Sequence, residues 1–204
     1  GISSISADNK KNNEVIEPRN LVDSGVPYVP TGDVKTAPNA PVVDLFVDFL
    51  CPACGQFEAV MGPSIKQAAQ DGAVQLRFKP FAFLHNQSTN DYSRRAMNIS
   101  MCAVDEKGPE AFWTMEGLLF QNQPDEGGPG PSDKALLEMA KGAGVTGLDE
   151  CVKKEKFFPW IDEIKDEFSK ERKVSGTPTL HINGKESDAR SPEAFMAAVK
   201  AASK

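Results

Sequence analysis

Two cysteines with two residues between them, Cys51-Pro52-Ala53-Cys54, are the part of this sequence best suited to covalent chemistry. At that spacing the sulfurs can close a small disulfide, the first exposed on the opening turn of a helix and the second shielded one turn in. The unpaired N–H groups and the dipole of a helix start favour a negative sulfur there. They lower a cysteine pKa from about 8.5 into a range of about 3.5 to 7.5. Cys51 is therefore read as the nucleophile and Cys54 as the resolving thiol. Zinc also uses this spacing, and the other ligands would have to come from Cys102, Cys151, His85 and His181. None of these forms a second close pair, so neither a metal nor a cofactor is expected.

The elements that must position the motif are legible around it. Residues 42–50 are β-branched and aromatic, follow the turn-like Ala37-Pro38-Asn39-Ala40-Pro41, and predict a buried central strand running directly into Cys51. Pro52 suits the first helical position, and Cys54, Phe57, Met61 and Ile65 recur at helical spacing. A helix is thus expected to about Gln70, kinked at Pro63. Residues 74–83 alternate as a second strand. Four helical stretches follow, at 92–104, 109–121, 132–142 and 158–172, broken by a Gly- and Pro-rich segment at 123–132. Thr179-Leu180-His181-Ile182 is a short strand, Asn183-Gly184 a hairpin turn, and Ser191-Pro192 the cap of a final helix to about Ala202. The order βαβ, helices, ββα is that of an α/β fold. It divides into a domain made of 26–83 and 172–204 and an inserted helical domain at 84–171. The polar residues 1–25 are expected to be a flexible tail or tether outside the core.

The 204 residues, 40% of them hydrophobic, suit one domain carrying an insertion. No apolar run approaches the ~18 residues of a membrane span. A formal charge of -6 excludes nucleic acid as the main partner, since phosphate binding calls for clustered Lys and Arg. A protein or a small thiol fits better. Cys102 and Cys151 fall on separate helices of the insertion, where a structural bridge would pin them together and would place the chain in an oxidising compartment; two buried free thiols are the alternative. A start at Gly1 rather than Met suggests a targeting segment upstream. His85 and His181 read as surface or hydrogen-bonded histidines. Phe112, Trp113, Phe120, Phe157, Phe158 and Trp160 are either core or groove lining.

The run Val47-Asp48-Phe49-Leu50-Cys51-Pro52-Ala53-Cys54-Gly55-Gln56-Phe57-Glu58, with Gly176-Thr177-Pro178-Thr179 downstream, resembles the DsbA-like branch of the thioredoxin superfamily, over about residues 38–204. The resemblance implies a thioredoxin fold with an inserted helical domain. It also implies a cis Pro178 facing the reactive pair and backbone groups of Thr177 offered to an extended substrate. The activity implied is an extracytoplasmic, monomeric oxidoreductase that passes the Cys51–Cys54 disulfide to reduced secreted proteins and is reoxidised by a membrane-bound oxidase. The sequence departs from its relatives at Ala53, where the most oxidising ones carry histidine. It departs again at Leu45, six residues before Cys51, where a buried carboxylate is common. Asp48 is then the candidate for tuning the pair, against the plainer reading of a solvated carboxylate at a strand end. An envelope reductase or isomerase, or a non-catalytic binding module held by zinc or an inert disulfide, are the rival functions.

Overall fold

The structure is a computed structural model that describes residues 10–203. Strand β2 (Val42–Val47) lies at the centre of a five-stranded sheet in the order β1-β3-β2-β4-β5. Its neighbours are β3 (Gln75–Pro80), which is parallel, and β4 (Thr179–Ile182), which is antiparallel. Central position explains its largely apolar composition, since Val43, Leu45, Phe46 and Val47 are all buried, and Asp44 among them is buried too. Helix α1 (Pro52–Gln70) makes the crossover between the parallel strands and runs through Pro63 as one helix. Strand β4 turns at Asn183 and Gly184, φ 50° and 80°, into β5 (Lys185–Ser187). Positive φ at both positions is what a tight hairpin turn demands of Asn-Gly. Helix α7 (Pro192–Ala202) follows, capped where the Ser191 hydroxyl oxygen accepts the Ala194 N–H at 3.1 Å, and packs on α1 and β4.

Five helices lie between β3 and β4: α2 (Tyr92–Lys107), α3 (Pro109–Gln121), α4 (Asp133–Gly142), α5 (Asp149–Lys153) and α6 (Phe158–Glu171). This block is continuous with the core of the sheet. Phe168 of α6 meets Phe46 edge-on at 5.1 Å, and Phe112 of α3 meets Phe78 of β3 at 4.7 Å. Phe112, Phe157 and Trp160 are core residues; Trp113 and Phe120 are partly buried and pack against the core. Cys102 of α2 is bonded to Cys151 across 5.9 Å between Cα atoms. Cys151 sits on its own short helix, α5, one element earlier than the 158–172 helix of the sequence reading. Among the described residues, no helix is long and apolar enough to cross a membrane.

The expectation of a free tail at 1–25 is corrected for its described part. Arg19 donates to Asp105 through its backbone N at 2.8 Å and its guanidinium at 3.2 Å, and Asn12 donates to Lys154 O at 2.8 Å. Ile16 and Leu21 pack on the core, and Pro18 is buried. The segment then leads into β1 (Val26–Pro27), an antiparallel edge strand on β3 that the sequence reading did not include. Polar composition misled because the docking runs on hydrogen bonds and ion pairs, which carry no periodic apolar signal. Residues 1–9 of that expectation lie outside the described residues.

The Cys102–Cys151 bridge encloses a sequence separation of 49 residues, for which loop entropy assigns about 4 kcal/mol of stabilisation. Non-reducing peptide mapping should recover these two cysteines linked. Replacing both by Ala should lower the denaturation midpoint by a corresponding amount while leaving thiol exchange at Cys51 intact. Two free thiols at these positions would refute the assignment.

Candidate active site

Strand β2 ends at Val47, and the next four residues form a tight turn that delivers Cys51 to the start of α1. The Cys51 N–H donates to Asp48 O at 3.1 Å, and the Asp48 carboxylate accepts the Leu50 N–H at 2.8 Å through Oδ1. Its other oxygen accepts the N–H groups of Phe83 and Leu84 at 2.9 and 3.0 Å and the Ser93 hydroxyl at 2.6 Å. Asp48 is thus wholly buried, which corrects the reading of a solvated strand-end carboxylate. Burial pushes its pKa up, and the four donors pull the other way. Donors on both oxygens suit the carboxylate form. Its main role here is to fasten the Cys51 turn to the start of the helical block.

Cys51 is the N-cap of α1, with φ −65° and ψ 117°, and its Sγ accepts the Cys54 N–H at 3.3 Å. Pro52 stands at the first helical position, and no acidic residue occupies the first turn. A sulfur therefore takes the place that a Ser or Asp oxygen takes in an ordinary cap. Its pKa is lowered to about 6, chiefly by the hydrogen bond from the Cys54 side chain, then by the Thr177 side chain and the Cys54 N–H, against the opposing effect of burial. The charge of Asp48 acts weakly in the raising direction. Cys54 is fully buried, and burial, followed by its bond to the Cys51 sulfur, pushes its thiol well above the usual range. The two sulfurs are split into one thiolate and one thiol.

Facing them is the loop before β4. The Cys51 thiol reaches Thr177 O at 3.6 Å, and the Thr177–Pro178 bond is cis. The Thr177 Oγ1 is buried and has no hydrogen-bond partner. The sequence reading offered the Thr177 backbone to a substrate; the structure also sets its carbonyl, 126 residues away in sequence, against the Cys51 sulfur. Cys102 and Cys151 are bonded to each other, so their sulfurs are not ligands for a metal held by Cys51 and Cys54. His181 is buried on β4 against Phe46, its Nδ1 without a partner, which differs from the hydrogen-bonded state expected of it. His85 lies in a short 3-10 turn after β3.

A family model described as thioredoxin matches residues 30–201. The crystal structure of reduced DsbA from Mycobacterium tuberculosis superposes with a TM-score of 0.75 at 32% identity, covering 87% of this chain and 91% of that one. The chain belongs to the thioredoxin family, in its DsbA-type branch. It is 27% identical over 178 residues to the disulfide bond formation protein D of Bacillus subtilis, covering 85% of this chain and 77% of that protein. It is also 30% identical over 118 residues to the serine/threonine-protein kinase PknE of Mycobacterium tuberculosis. There the match takes in 54% of this chain and spans only 20% of the kinase.

In a thiol-disulfide oxidoreductase of the DsbA type, the split between the two sulfurs has a direct chemical reading. The lowered pKa suits Cys51 to attack or leave as a thiolate, and the raised pKa of Cys54 keeps that sulfur a thiol. Cys51 is itself buried, with 7% of its surface exposed, which corrects the exposed first sulfur expected from the sequence.

Thiolate absorbance of the reduced protein, with Cys51→Ser as the blank, should titrate with a midpoint near 6. A midpoint at or above about 8.5 would contradict the assigned geometry. Because the folded pKa is depressed, the associated stability is fully present above the unfolded value of 9.0 and is lost as pH falls through about 6. Between those values the reduced form should gain stability over the oxidised form as pH rises.

Asp48→Ala should strand three backbone N–H groups and one hydroxyl. At about 1–3 kcal/mol for each buried orphan, urea denaturation should register a loss of at least about 3 kcal/mol. A loss under about 1 kcal/mol would show that water replaces the carboxylate.

Proposed function

We propose that this chain is an extracytoplasmic disulfide donor, which introduces disulfides into reduced secreted or envelope proteins. The observation that carries the reading is the Cys51 sulfur at the N-cap of α1, with its pKa lowered to about 6. Stabilising the thiolate stabilises the dithiol form, so the disulfide is readily given away. In the reaction a substrate thiolate attacks Cys51 Sγ of the Cys51–Cys54 disulfide. The S–S bond breaks, a mixed disulfide forms at Cys51, and Cys54 leaves and takes up a proton. The substrate's second thiolate then attacks its own sulfur in the mixed disulfide, and Cys51 departs as the thiolate. Two electrons pass from the substrate dithiol to the pair. Since Cys54 prefers the protonated state, its return attack on the mixed disulfide is slow, which favours the substrate's second thiol.

Beside the motif, Ala53, Phe57, Val60, Met61, Pro178 and Arg190 line an open groove of about 280 Å³. Val60 is 55% exposed there. An extended apolar stretch of an unfolded substrate fits that lining, with the Thr177 backbone alongside. The Cys102–Cys151 bond supports an oxidising compartment, and a membrane-bound oxidase that recycles the pair is the partner such a donor requires.

Equilibration against glutathione at pH 7 tests the reading. The Cys51–Cys54 couple should have a potential less negative than about −200 mV, on the oxidising side of the glutaredoxins. A value near about −270 mV, that of thioredoxin, would favour the reductase instead.

A further inference from the structure

The segment at 123–132, which the sequence marks only as an interruption between helices, passes directly behind the reactive turn. Helix α3 ends where Phe120 packs on Phe49, ring centroids 5.1 Å apart. That contact brings Gln123 to the turn before α1. Its Nε2 donates to Phe49 O at 2.9 Å and to Cys51 O at 2.8 Å. Two carbonyls converging on one atom fix which end of the amide is the nitrogen, because an amide oxygen there would face two acceptors. The amide oxygen is turned onto Gly55, where a Cβ would lie 2.5 Å from it. Glycine at position 55 therefore leaves the space that the Gln123 amide occupies.

The rest of the segment is held in place. Asn90 exchanges two hydrogen bonds with the Gly130 backbone at 2.8 and 3.0 Å, Gly127 N donates to Gln87 O at 2.7 Å, and Arg95 donates to Pro131 O at 2.8 Å. Gln123 is thus presented from a fixed loop and not from a loose one. Its two acceptors bracket the turn whose shape decides where Cys51 Sγ stands relative to the Cys54 N–H and Thr177.

We propose that Gln123 is a positioning residue for thiol exchange, and that through it the helical insertion is part of the reactive site. It touches neither sulfur; it holds the carbonyls of Phe49 and Cys51 so that the sulfur meets the helix start. The inference rests on the reading of Cys51 as the exchanging sulfur. Misplacing a reacting atom by about 1 Å costs on the order of 100-fold in rate, so the turn has little slack.

The test uses the whole chain and two routes to the same defect. Gln123→Ala should slow exchange with a dithiol peptide at least about tenfold and move the Cys51 thiolate midpoint upward. Gln123→Glu should be worse, since a carboxylate would face both carbonyls. Gly55→Ala leaves Gln123 in the chain and improves helix propensity, so if the Gln123 amide plays no part in exchange, rate and midpoint should stay at wild type. The proposal predicts instead that Gly55→Ala displaces the amide and reproduces the slow rate and raised midpoint. The double variant should then be no worse than either single one, because both remove one interaction. Should Gln123→Ala fail to fold, Gly55→Ala carries the test alone. Wild-type rate and midpoint in Gly55→Ala, or in a folded Gln123→Ala, would overturn the inference while leaving the wild-type exchange reaction standing. A wild-type protein that does not exchange would instead remove the functional reading beneath it.

Discussion

The N–H of Cys54 donates to the Cys51 sulfur at the first turn of α1, and much of the surrounding architecture serves to keep that sulfur in place. A helix start offers N–H groups that its own helix cannot satisfy, and capping normally meets that need with oxygen. Here the cap is a titrating sulfur, so the same geometry that completes the helix also stabilises a thiolate. The capping interaction therefore contributes to the lowered pKa of Cys51, beside the larger contribution of the Cys54 side chain. That is why Pro52, which pre-sets the first helical residue, and the absence of an acid in the first turn both bear on chemistry as well as on folding.

Holding the sulfur there requires polar groups in places that exclude water, and the protein handles each by supplying partners from a distant element. Asp48 takes four donors from its own turn, the β3–α2 connection and α2. On the sheet, the Lys79 side chain is wholly buried over the Phe168 ring and is ion-paired to Asp44 of β2 and to Asp23. A buried ammonium without such partners costs several kcal/mol. The polar N-terminal segment is thereby drawn onto the sheet, because it carries one of the counter-charges; Arg77 and Arg172 reach the same Asp23. The helical block likewise contributes Ser93 to Asp48, so it shapes the reactive turn as well as covering the sheet.

Much of the fold was legible where the determining forces are local. The apolar run of β2, Pro52 at the helix start, the Asn183-Gly184 turn and the Ser191 cap all lie where the sequence reading put them. The short strand β1 and the docked stretch at 10–25 were not legible. Neither has an apolar period, and each is held by pairing with elements far along the chain. Within the site, the roles of Cys51 and Cys54 follow from their spacing at a helix start. The identity of the facing loop came from resemblance, since nothing near Pro178 in sequence points to Cys51.

The sequence by itself determined which two sulfurs stand at a helix start, where that helix begins and, through resemblance, which class of protein this is. Those properties depend on residues within a turn or two of each other, where backbone sterics and capping decide. Only the tertiary structure decided how the pair is tuned and supported. The partners of Asp48 on the β3–α2 connection and α2 stand 35 to 45 residues away, and the Thr177 carbonyl stands 126 residues from Cys51. A carboxylate three residues before a cysteine has the same sequence whether it is solvated or buried under four donors. Which of the two it is depends on what the rest of the chain packs against it.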